Sequence, residues 1–270
     1  MNVLGKNTEV ALRGPVAVLT LRRSAVLNAV DMAFAQELLG TATYLAGHSG
    51  LRVVVVRGEG RAFCAGIDLK ELSAGQLPFE FFEVWERALR TFETMDKIVV
   101  AAMHGYALGG GLQLALAADV RASTPSCMFG LPAVKESLVP GLSPWRLPRV
   151  IGLGRCRELI VSGRNVDGCE ARAMGLVDQE NARPAGKSAR SDIAPAIVAH
   201  AAGTTTAPGI SRRAWASAIA ASMPSALAIE PISSATQTSA RCGSSMSNDS
   251  PCTRSIFAAS GAASRRAAAE

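Results

Sequence analysis

The chain has 270 residues, a formal charge of +6 from 28 Lys and Arg against 22 Asp and Glu, and six cysteines. Residues 186–270 hold 8 of those cations against 4 acids, and no basic helix is interleaved with stacking aromatics, so the composition gives no nucleic-acid signature. The cysteines show no C-x-x-C pairing and only three histidines accompany them, which argues against a metal site and for reduced thiols in a cytoplasmic protein.

In chain order, "MNVLGKNTEV" lacks the apolar run of a secretory signal. "VAVLTL" (16–21) is a short β-branched run and predicts a buried strand. Asp31 then stands as N-cap to "DMAFAQELLGTATYLAG", where Phe34, Leu38, Leu39 and Leu45 fall at helical spacing. "LRVVVV" (51–56) predicts a second strand, and "GRAFCAGIDLKEL" a glycine turn opening a short helix. In "PFEFFEVWERALRTFETM" the residues Phe81, Phe82, Trp85, Leu89 and Phe92 share one helical face. "KIVVAAM" (97–103) predicts a third strand, followed by "HGYALGGGLQLALAAD". Residues 98–120 are apolar enough to suggest a membrane span, but His104, Gln113 and the glycines interrupt them, so a buried strand–loop–helix is expected. Strands alternating with helices indicate an α/β crossover architecture.

Past residue 185 the composition changes abruptly. Ala and Ser make 39 of the 85 residues in 186–270, and Leu227 is the single leucine. Such a segment has too little bulky apolar surface to offset the entropy of ordering it. We therefore expect a core over 1–185 and an Ala/Ser-rich tail over 186–270, disordered or non-native, with the bias that a GC-rich coding region read out of frame would give.

Two stretches carry the chemistry, "GRAFCAGIDLKEL" and "HGYALGGGLQLALAAD". Each follows a strand and opens a helix, so each can turn backbone N–H groups outward. Two such sites facing one point would hold a carbonyl oxygen that becomes anionic during reaction. Taken singly, either stretch reads first as a device for packing a helix closely on a sheet. Asp68 reads first as a helix cap, Cys64 as core, and Lys70 as either a solvated lysine or a phosphate contact.

Together these stretches resemble the enoyl-CoA hydratase/isomerase, or crotonase, superfamily. So do "VAVLTLRRSAVLNAV", "FGLPAVKESLVPG" and "RLPRVIGLGRCRELIVSGRNVDGCEARAMGLVDQ". The resemblance runs through residues 8–180. It implies an α/β fold with a ββα superhelix, a C-terminal helical region poorly specified here, and a homotrimer or dimer of trimers. It also implies an acyl-CoA thioester ligand, with coenzyme A entering only as part of the substrate and no separate cofactor or metal. By position it implies oxyanion-hole N–H groups from Ile67 and Gly110. Ala25, Val26 and Leu27 then fall along the CoA chain, and Ala65 and Lys70 at its adenosine end.

The resemblance also exposes a departure. Hydratases of this family carry one glutamate two residues after the glycine triplet, where this chain has Gln113, and another after the proline of "FGLPAV", where it has Ala133. Adding water to an enoyl double bond needs a positioned base and an acid, and neither residue supplies one. Glu136 is the nearest substitute, although a helix beginning near Ala133 would more simply leave it solvated. Glu71, Glu80, Glu83 and Glu86 read as polar faces of amphipathic helices. Phe81, Phe82 and Trp85 read as core, with lining of an acyl pocket as the alternative. Three readings follow: an acyl-CoA enzyme acting through a thioester enolate in fatty-acid metabolism, a catalytically silent acyl-CoA-binding protein, and a non-functional frameshifted fragment.

Overall fold

A computed structural model describes residues 2–180; the expectations for the tail over 186–270 and for the C-terminal helical region lie outside these residues. The chain opens with two antiparallel neighbours, β1 (Asn2–Leu4) and β2 (Thr8–Arg13), and β2 turns back into β3 (Val16–Leu21). Beyond a 3₁₀ turn at Ser24–Val26 comes α1 (Met32–Gly47), started by Asp31, whose carboxylate accepts from the Phe34 N–H at 2.8 Å. α1 crosses to β4 (Val53–Gly58), which lies parallel to β3. A long loop with the short α2 (Leu69–Ser73) leads into α3 (Glu80–Thr94), and α3 returns to β5 (Ile98–Met103), parallel to β4.

The remaining elements are shorter. β6 (Tyr106–Leu108) runs into α4 (Gly110–Leu116), followed by β7 (Val120–Ser123) beside β5 and by β8 (Met128–Gly130). A 3₁₀ turn at Pro132–Glu136 leads to α5 (Ser143–Arg146), α6 (Pro148–Ile151) and α7 (Leu153–Ser162). β9 (Asn165–Val166), α8 (Gly168–Ala173) and β10 (Gln179–Glu180) complete the described residues. The main sheet has the order β1-β2-β3-β4-β5-β7-β10, and β6-β8-β9 form a second, three-stranded sheet.

The core follows from the sequence periods. β5 is buried at every position, as a strand covered on both faces must be. α1 and α3 pack on each other, and Phe34, Leu38, Phe81, Trp85, Leu89 and Phe92 lie in one buried cluster. Residues 98–120 form strand, loop and helix, and among the described residues no helix is long and apolar enough to cross a membrane.

Two expectations are corrected. The second strand begins at Val53 rather than Leu51 and runs on to Gly58, because β3 continues to Leu21 and pairs Thr20 with Arg57 and Leu21 with Gly58. Leu51 is nonetheless buried. The segment at Ala133 is a 3₁₀ turn instead of an α-helix; Pro132 opens it, and Ser137 ends it at φ 56°.

Candidate functional site

Asn28 ties the loop between β4 and α2 to the segment after β3. Asn28 is fully buried; its amide nitrogen donates to the carbonyls of Glu59, Ala62 and Phe63, and its oxygen accepts from the Arg23 N–H at 2.8 Å. Val30 then pairs with Ile67 as an isolated parallel bridge. That bridge uses the N–H of Val30, donated to Gly66 O at 2.7 Å, and that of Asp68, donated to Val30 O at 2.9 Å. The N–H of Ile67 is therefore turned to the opposite side, away from the Val30 backbone.

The second stretch is locked against the first. Cys64 bridges Ala107 in parallel fashion, and Gly111 sits so close that a Cβ on it would lie 2.0 Å from Cys64 O. Gly66 has φ +95°, and a Cβ there would lie 2.8 Å from Leu108 O and 3.1 Å from Gly110 N. Side chains at these two positions would force the stretches apart. Gly110 is the first residue of α4, so its N–H has no acceptor within the helix. The fold thus brings Gly66–Ile67 and Gly109–Gly110 into contact.

Ile67, Gly109 and Gly110 border a cavity of about 130 Å³ walled mainly by apolar side chains, including Phe81, Phe82 and Trp85. The three aromatics therefore line a pocket, and Phe81 and Trp85 belong to the core as well. Gln113, Ala133, Glu136 and Ala65 line the same cavity. Gln113 is only 7% exposed; its Nε2 donates to Pro140 O at 3.2 Å, while its Oε1 has no hydrogen-bond partner. Glu136 lies on the exposed side of the cavity. Ala25 and Val26 are exposed and stand outside the cavity lining, and Leu27 O accepts from the Ala65 N–H at 3.0 Å. Lys70 is exposed on α2, also outside the lining.

Two residues have structural roles. Asp68 caps α2, accepting from the Lys70 N–H, and pairs with Arg23 at 2.7 Å. Burial raises the pKa of Asp68, but the Arg23 guanidinium and the N–H groups of Lys70 and Glu71 outweigh it and hold the carboxyl below its usual range. Burial pushes the Cys64 thiol up to about 12, and its Sγ donates to Asn28 O at 3.1 Å, so it is a packed thiol.

Sequence reasoning missed Glu86. It lines the cavity from α3 instead of facing solvent. Its carboxylate takes both forks of Arg146, Nη2 to Oε2 at 2.8 Å and Nη1 to Oε1 at 3.2 Å, and Arg146 Nε donates to Glu93 at 2.7 Å. Arg146 is 4% exposed; burial opposes its charge, yet the bonds to Glu86 and Glu93 prevail and raise its pKa. The local signal was faint. Glu86 follows Phe82 by four residues and precedes Leu89 by three, which puts it at the border of the apolar stripe, but Arg146 lies far along the chain.

The profile of the enoyl-CoA hydratase/isomerase family matches residues 12–188. The chain is 38% identical over 172 residues to an enoyl-CoA hydratase/isomerase by name, YngF of Bacillus subtilis, covering 62% of this chain and 66% of the relative. It is 37% identical to human enoyl-CoA hydratase domain-containing protein 2, mitochondrial, covering 62% and 60%. The match thus spans less than two thirds of the length of either curated relative. Among solved structures, an enoyl-CoA hydratase from Bacillus anthracis superposes with TM-score 0.62 at 34% identity, covering 66% of this chain and 70% of that one. An enoyl-CoA hydratase/carnithine racemase from Magnetospirillum magneticum gives 0.65 at 28%, covering 74% of each.

Proposed function

The chain belongs to the enoyl-CoA hydratase/isomerase family and has its crotonase fold, and from that premise we propose that it binds an acyl-CoA thioester and acts, where it turns over, through the thioester enolate. The observation that carries this reading is the contact of Gly66–Ile67 with Gly109–Gly110 at the edge of an apolar cavity. A thioester oxygen accepting from the Ile67 and Gly110 N–H groups gains most when its α-carbon loses a proton, because the charge then moves onto that oxygen. Each such donor contributes about 3 kcal/mol in a water-excluded site. The acyl chain lies along Phe81, Phe82 and Trp85. Ala25, Val26, Leu27, Ala65 and Lys70 lead toward the CoA end. The reading also places the chain in cytoplasmic fatty-acid metabolism as a homotrimer or dimer of trimers, with no cofactor beyond the coenzyme A of the substrate.

Gln113 and Ala133 favour a second reading, a binder without hydration chemistry. An amide cannot accept and return a proton at neutral pH, and a methyl group cannot either. Titration of the full chain with butanoyl-CoA, against free coenzyme A, tests the shared claim: the acyl thioester should bind the tighter of the two. Equal affinity, or none, would remove the support for a thioester site. Incubation with crotonyl-CoA tests the chemistry, and hydration far slower than in a two-glutamate relative is expected. Rapid hydration would refute the assignment of Gln113 and Ala133 as the missing acids.

A further inference from the structure

Glu86 is the carboxylate in this cavity that the protein holds in place. A Cβ on Gly141 would lie 3.1 Å from Gln113 Oε1 and 3.3 Å from Glu86 Oε1, so the two side chains reach the same point of the cavity wall. Gln113 brings to that point a buried amide oxygen without a partner. Glu86 brings a group that can take a proton, fixed by the two-pronged bond to Arg146 and by the Leu142 N–H at 3.3 Å. Arg146 is shared between two carboxylates, Glu86 and Glu93, and Glu93 is also paired with Arg90 at 3.5 Å. Glu136 lines the cavity too, but it is exposed and sits on a 3₁₀ turn.

We propose that Glu86 is the catalytic base of this site, and that the chain therefore performs one-carboxylate enolate chemistry on acyl-CoA thioesters, namely α-proton exchange and shift of a β,γ double bond into conjugation. The inference rests on the thioester reading above. In the step, a Glu86 oxygen forms a bond to the α-proton, and the C–H electron pair moves into the C–C bond. The carbonyl π pair moves onto the oxygen beside the Ile67 and Gly110 N–H groups. The carboxylic acid so formed trades its proton for a solvent deuteron and delivers that to the α-carbon as the enolate pair re-forms the carbonyl, which is exchange, or delivers a proton to the γ-carbon of a β,γ-enoyl thioester, which is isomerisation. Solvent water is the only further reactant. Arg146 is a positioning residue, and Gln113 holds a neutral acceptor beside the base.

The experiment incubates the full chain with butanoyl-CoA in D2O and follows deuterium at the α-carbon by mass spectrometry, with binding measured separately by calorimetry. The wild type should exchange, and Glu86→Gln should slow exchange by about a hundredfold or more with binding little changed. Since Glu86 anchors a buried arginine, Glu86→Asp carries the test if the amide variant does not fold. Asp keeps the charge opposite Arg146 but draws the oxygen back, and exchange should fall by about tenfold or more. Binding without exchange in the wild type overturns the proposal, as does exchange at the wild-type rate in a folded Glu86 variant or a loss of exchange confined to Glu136→Gln. If butanoyl-CoA does not bind, the thioester reading itself has failed.

Discussion

Gln113 lines the cavity with one end tied to Pro140 and the other unpartnered, and Ala133 lines the same space. Replacing both by glutamate should supply the two-carboxylate arrangement that hydration requires, so Gln113→Glu with Ala133→Glu is expected to raise crotonyl-CoA hydration by about a hundredfold. No gain in a folded double variant would mean that the cavity presents the substrate differently. Asn28 is a second single-residue dependence. Its replacement by alanine leaves buried carbonyls unpaired at a residue of φ 56°, and unfolding in urea should show a loss of about 3 kcal/mol. Nothing in "LNAV" distinguished Asn28 from a turn residue, because the carbonyls its amide nitrogen binds lie more than thirty residues away. Asp68 was legible as a cap, while its partner Arg23 was not. Since the folded Asp68 pKa lies below its ordinary value of 3.8, its contribution is complete above that value and is lost as pH falls through the lower folded one. Asp68→Asn should therefore cost about 2 kcal/mol at neutral pH, with the gap to wild type closing under acid. A gap independent of pH would assign the effect to packing.

At the scale of elements, two loops and one helix make the site. The turn from β6 into α4 fits under the loop after β4 only because Gly111 has no side chain to meet Cys64 O. Gly111→Ala should destabilise the fold by about 3 kcal/mol and weaken butanoyl-CoA binding, measured by thermal unfolding and calorimetry. Full retention of both would show that the two stretches separate without consequence. The elements themselves were largely readable: β3 from its β-branched run, α1 from Asp31 and the Phe34–Leu38–Leu45 spacing, and α3 from its aromatic face. The start of β4 was misplaced because strand ends depend on how far the neighbouring strand runs. β8 and β9 pair three and two residues with partners distant in sequence, too little for any period to register. The turn at Pro132–Glu136 resembles a helix start in sequence, yet it ends within a single short segment at Ser137.

Across the described residues, the parallel run β3-β4-β5-β7 sets the β4–α2 loop and the β6–α4 turn side by side, and the family match over residues 12–188 agrees with that plan. The convergence of two glycine stretches was visible in the sequence as a conjunction of motifs, since each follows a parallel strand and such loops emerge at the same sheet end. The Glu86–Arg146–Glu93 cluster was not, because it joins α3 to α5 through side chains that each look like ordinary surface charges. The account turns on whether a thioester oxygen lies between Ile67 and Gly110. Infrared difference spectroscopy of butanoyl-CoA labelled with carbon-13 at the carbonyl tests this directly. Two N–H donors should move the carbonyl stretch of the bound thioester to lower frequency than in water. A bound ligand whose carbonyl band stays at its solution position would contradict the account.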